Sequence, residues 1–86
     1  MTVIIPAALW NYTKNASEVD VPGGSVRELM GALESKFPGI RHRVIDEQDQ
    51  IRTHIKFFVN ANLCATIDTP VRTGDEVTIV CALSGG

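Results

Sequence analysis

One segment restricts the fold more than any other: "GGSVRELMGALESKFPGI", residues 23–40, a single amphipathic helix marked at both ends. Ser25 is placed to cap it, with Glu28 three residues on, as in a capping box. Val26, Leu29, Met30, Leu33 and Phe37 recur at helical spacing. Pro38 cannot continue the helix, and Gly39 can take the left-handed turn that ends it. A lone apolar stripe has to pack on something, and one sheet face is the economical partner. In 86 residues there is room for one such core and no second domain.

The rest of the chain supplies short strands. "TVIIPAAL" alternates, with Val3 and Ile5 on one face and Ile4 on the other, and Pro6 confines it. "NYTKNAS" reads as a polar turn, and "SEVDV" as a second strand with Val19 and Val21 inward. After the helix, "IRHRVIDEQDQIR" reads as a short irregular or helical crossing followed by an exposed loop. "THIKFFVN" is a strand with Ile55, Phe57 and Val59 on one face and Phe58 on the other. "NAN" is a tight turn and "LCATI" a short strand. "EVTIVCAL" is the last strand, with Val77, Ile79 and Cys81 on one side and Thr78, Val80 and Ala82 on the other. Hairpin, helix, two strands and a final strand make an α+β layout, in which the last strand fits most easily beside the first.

Composition narrows the function. The formal net charge is −2, so no basic footprint for nucleic acid is present. No stretch approaches the roughly 20 apolar residues of a membrane span, and the opening residues read as a strand, not as a signal peptide. Cys64 and Cys81 have no metal-type spacing and read as buried, reduced thiols, which points to the cytoplasm. His42 and His54 have no partner ligand at useful spacing. Nucleophile elbows and phosphate loops are missing, so no enzyme is expected and no bound cofactor.

What remains is the end, "VCALSGG". A terminal carboxylate is ionised at neutral pH and is a poor electrophile. It must be activated before a nucleophile can attack it. Glycine has no Cβ, so Gly85 and Gly86 can thread a narrow channel where bulkier residues clash. The expectation is a domain over residues 1–82 carrying a flexible tail over 83–86.

At this point "GDEVTIVCALSGG" resembles the ending of the bacterial sulfur-carrier family (MoaD/ThiS-like), which pairs a Gly-Asp-x-Val turn and last strand with a terminal Gly-Gly. "VRELMGALESKFPGI" resembles the family's helix and "IKFFVNAN" its hairpin; "VIIPAALWNYT" is similar to the opening of the cysteine-biosynthesis branch. The residues that carry the likeness are Val59, Asn60, Gly74, Asp75, Val77, Gly85 and Gly86. The resemblance implies a ubiquitin-like β-grasp, a mixed sheet of four to five strands on one main helix. It implies that a ubiquitin-activating-like adenylyltransferase/sulfurtransferase consumes ATP to adenylate Gly86 and converts it to a thiocarboxylate. A second, sulfur-accepting biosynthetic enzyme then takes the sulfur, with a metalloprotease as a further partner that trims or releases product. Cysteine or a related amino acid is the branch implied, with molybdopterin and thiamin synthesis as the others. A ubiquitin-like modifier conjugated through Gly86, or a non-catalytic β-grasp binding module, are the competing readings.

Strand parity adds a docking surface. If Val3, Ile5, Ile55, Phe57, Val59, Val77 and Ile79 face the helix, Ile4, Phe58 and Val80 point outward. In β-grasp order their strands are neighbours. Together with Ala82, Leu83 and Ser84 they are expected to form an apolar path to the tail.

Overall fold

The computed structural model describes residues 1–82, and among them five strands form one mixed sheet. The strands are β1 (Thr2–Ile4), β2 (Glu18–Asp20), β3 (Ile55–Val59), β4 (Asn62–Leu63) and β5 (Glu76–Cys81). Their order across the sheet is β2-β1-β5-β3-β4. The last strand therefore lies in the middle, parallel to β1 and antiparallel to β3. Two parallel strands cannot be joined by a tight turn, so the chain between β1 and β5 must include a crossover. The main helix α1 (Val26–Lys36) lies on that path.

The N-terminus of α1 is built as its sequence indicates, with one refinement. Ser25 Oγ accepts the Glu28 N–H at 3.2 Å, while the Glu28 carboxylate reaches back to the Gly24 N–H at 2.7 Å, one residue beyond the cap. Gly23 is needed just before this turn, because a Cβ there would lie 2.8 Å from the Leu29 nitrogen. Val26, Leu29, Met30 and Leu33 are buried against the sheet face made by Val3, Ile5, Ile55, Phe57, Val59, Val77 and Ile79, all buried too. Phe37 closes the helix and is half-buried. Gly39, at φ +98°, then starts α2 (Ile40–Val44). The Glu34 carboxylate accepts the Gly39 and Arg41 N–H groups, and these bonds hold it below the usual carboxylate range.

Two expectations need correction. "LCATI" is not a strand: pairing with β3 covers only Asn62 and Leu63 in register, plus one further bond from the Cys64 N–H to the Phe57 carbonyl at 2.8 Å. The chain then turns at Thr66 and buries Cys64 and Ile67. The Ile67 and Thr69 carbonyls accept the Arg27 and Val26 N–H groups, at 2.7 and 3.0 Å. These donors are orphans of the first turn of α1, so the segment leaves the sheet to serve the helix. "NYTKNAS" is also more than a polar turn. A 3-10 turn at Ala7–Leu9 precedes it, Leu9 and Thr13 are buried, and the Thr13 hydroxyl donates to the Ala16 carbonyl at 2.8 Å.

The tail expected over 83–86 lies outside the described residues.

Candidate docking surface

The sheet face turned away from α1 is organised by register. Ile4 of β1 and Phe58 of β3 both stand opposite Thr78 of β5, and Phe58 stands opposite Leu63 of β4. Ile4, Thr78, Phe58 and Leu63 thus form one row across four strands. One step further along β5, Val80 faces Lys56, and the Ala82 N–H donates to the His54 carbonyl at 2.8 Å. The expected outward residues share this face, but unequally. Val80 is 39 % exposed, whereas Ile4 and Phe58 are only half-exposed. Leu83, Ser84, Gly85 and Gly86 lie outside the described residues.

Sequence reasoning missed one member of the surface. Leu63 is 59 % exposed, more than any residue that parity singled out. The two-residue turn of Asn60 and Ala61 was the available signal, since it fixes Leu63 opposite Phe58. Trp10 is also exposed on one side, and its indole N–H is anchored on the Ile5 carbonyl at 2.9 Å.

Five of the residues that carried the family resemblance, Val59, Asn60, Gly74, Asp75 and Val77, meet at the start of β5. Asn60, at φ +55°, exchanges bonds with Glu76: its N–H donates to the Glu76 carbonyl at 2.7 Å, and its Oδ1 accepts the Glu76 N–H at 3.1 Å. Its Nδ2 donates to Asp75 at 3.1 Å, and Asp75 also accepts the Arg72 N–H at 2.9 Å. The Arg72 N–H and then the Asn60 amide hold the Asp75 carboxyl below its usual range. Gly74, at φ +95°, makes the turn between them. This knot is structural: it ties the β3–β4 hairpin to β5.

At the other end of β5 the chain passes from Cys81 to Ala82. Cys64 and Cys81 are unpaired; Cys64 is buried as expected, but Cys81 is only half-buried. Desolvation pushes both thiols up, with a nearby Arg43 opposing this at Cys81. Neither is a poised nucleophile. His42 and His54 are exposed, and no cluster of metal-ligating side chains exists among the described residues. The described residues can therefore present a face, and among them no catalytic constellation is assembled.

The ThiS family matches residues 3–86 of the chain. The chain is 29 % identical to the sulfur carrier protein CysO of Mycobacterium tuberculosis, covering 100 % of this chain and 98 % of that protein. Among solved structures it resembles a chain of the BexX/CysO complex of Amycolatopsis orientalis, with 31 % identity, 99 % and 98 % coverage and a TM-score of 0.92. It also resembles SAMP1, a small archaeal modifier protein of Haloferax volcanii, with 25 % identity, 99 % and 97 % coverage and a TM-score of 0.77.

Proposed function

The chain belongs to the ThiS family, and we propose that it is a sulfur carrier serving the synthesis of cysteine or a related amino acid. The observation that supports this reading most is that the family match runs through Gly86 on a β-grasp whose central strand leads to the chain end. The Gly86 carboxylate attacks the α-phosphorus of ATP in a ubiquitin-activating-like adenylyltransferase/sulfurtransferase, and pyrophosphate leaves. A sulfide equivalent then attacks the acyl carbon, AMP leaves, and a thiocarboxylate remains. Its sulfur is the nucleophile delivered to a biosynthetic acceptor enzyme. A metalloprotease that trims or releases product completes the set of partners. The carrier holds no cofactor and performs no catalysis; it is a stoichiometric substrate. The solved CysO relative from Amycolatopsis was captured in a complex with a second protein, BexX, which agrees with a life spent docking.

The outer row of Ile4, Phe58 and Leu63, with Val80 and Ala82 beside it, is the surface on which such enzymes would seat the body while Gly85 and Gly86 enter their channel. Among the described residues no helix is long and apolar enough to cross a membrane. The unpaired cysteines suit a reducing cytoplasm.

The test is intact-mass analysis after incubation with ATP, sulfide and the adenylyltransferases of the native host. The carrier gains about 16 Da, the difference between sulfur and oxygen. An unchanged mass with every such enzyme overturns the reading. The likeness to SAMP1 favours conjugation as a second reading; a tagged copy would then yield a ladder of lysine conjugates in cells.

A further inference from the structure

The protein is acidic overall, with ten Asp and Glu against eight Lys and Arg, yet its cations are not evenly neutralised. Arg27 and Arg41 are paired: Arg27 with Asp49 and Asp68, Arg41 with Asp49, all at 3.0–3.1 Å. Arg43 and Arg52 have no ion pair among the described residues. They meet at the end of the sheet where the tail departs. His42, Arg43, Arg52 and His54 line one hollow of about 250 Å³. A second, of about 160 Å³, adjoins it through Arg43 and His54; its apolar floor includes Leu9, Ile55 and Cys81, and Ala82 forms its edge. Among the described residues no carboxylate lines either one. Arg52 is also held in place, because its Nε donates to the His42 carbonyl at 2.7 Å, and its terminal nitrogens have no hydrogen-bond partner among the described residues.

We propose that this groove is a docking site for an acidic segment, carrying two or more Asp or Glu side chains, on the protein that acts on the tail. The proposal rests on the carrier reading for its partner, and on charge for its chemistry. Two guanidinium groups gathered without a counter-charge on an otherwise acidic chain raise a local positive potential that an acidic surface would meet. Position agrees. Ala82 edges the groove, and the four residues that follow it span at most about 14 Å. An enzyme that holds Gly86 in its active centre thus has its surface within reach of Arg43 and Arg52. The chain's own terminal carboxylate is a poorer occupant, since one charge would leave the second guanidinium unmatched. Nucleic acid is poorer too, because the chain carries a net charge of −2 and offers an extended polyanion no wider basic surface beyond these two arginines.

The experiment uses the full chain, 15N-labelled, titrated with hexaglutamate as the probe. Saturable shifts are expected at residues 8–9, 42–43, 52–54 and 81–82. They should weaken at least about ten-fold in R43A/R52A, and at about 0.5 M salt, where screening shortens the reach of charge. Shifts centred on Lys14 or Lys36, or undiminished in the double variant, overturn the proposal. So does tighter binding of hexathymidylate, and so does movement of the groove resonances when the terminal carboxylate is merely amidated. With a competent adenylyltransferase, R43A/R52A should raise the KM for the carrier about ten-fold and leave kcat within about two-fold; an unchanged KM overturns the site. If the wild-type chain is never adenylated, the carrier reading fails, and the peptide titration still decides the groove.

Discussion

The two ends of β5 are built on opposite principles. Where the chain enters, at Gly74 to Glu76, side chain and backbone are tied together: Asn60, Asp75, Arg72 and Glu76 share five hydrogen bonds of 2.7–3.1 Å. Where it leaves, at Cys81 and Ala82, a backbone bond from Ala82 to His54 holds the edge, beside cations with no ion pair among the described residues and an exposed Val80. Both ends belong to one strand over one core, although Val77 at the entrance is buried and Cys81 at the exit only half-buried. The difference is where polar groups are satisfied internally and where they are left for something else. A body that must hold still while its terminus is handled by other proteins needs a fixed end and an open one.

The comparison breaks most visibly if the fixed end is untied. Asn60→Ala removes one donor and one acceptor and leaves alanine at φ +55°, where a Cβ is disfavoured. It should cost about 1–2 kcal/mol in chemical denaturation. A change below about 0.3 kcal/mol would show that the knot is ornamental and that the ends do not differ in stability after all.

Much of this was legible in the sequence, and the reasons are particular. The helix announced itself because Ser25, Glu28, Pro38 and Gly39 are local signals, each acting within a turn of its own position. The inward faces of β1, β3 and β5 followed from alternation alone, and all seven predicted residues are buried. Cys64 and Ile67 misled because burial in a strand and burial in a loop under the sheet give the same apolar spacing. What separates them is the need of α1 for acceptors at its first turn, which is a tertiary fact. The pairing of Arg27 in α1 and Arg41 in α2 by one residue, Asp49, in the loop beyond α2 was likewise invisible. So, therefore, was the contrast with the unpaired Arg43 and Arg52. Arg41 and Arg43, two residues apart in "RHR", look alike in sequence until the fold pairs one with Asp49.

A subtler test of the fixed end uses acid. The Asp75 carboxyl is held below its ordinary value near 3.8 by the Arg72 N–H and the Asn60 amide. Its charged form therefore adds stability at neutral pH. That contribution fades as the pH falls through 3.8 and is gone once the pH is beneath the lower folded-state value. Asp75→Asn should make the protein less stable at pH 7, and the gap to wild type should close on acidification. Glu34 and Asp49 are depressed in the same direction and are present in both proteins, so the difference between the two denaturation curves isolates Asp75. A gap that stays constant from pH 7 to about pH 3 would mean that the carboxylate charge contributes nothing to the turn.

The smallest stability effect should come from the open end, and its smallness is informative. Val80 is exposed and stands opposite Lys56, so Val80→Glu loses little burial and gains a cross-strand ion pair. Its unfolding free energy should change by less than about 0.5 kcal/mol. The same substitution places a charge in the middle of the apolar path to the tail, and adenylation of Gly86 should fall through a higher KM for the carrier. Phe58 is the poorer choice for this test because it is half-buried, and a charge there would confound docking with folding. If Val80→Glu instead lowered stability as much as Asn60→Ala and left activation untouched, the exit of β5 would be a second anchor, and the outer face would have no claim to be where partners sit.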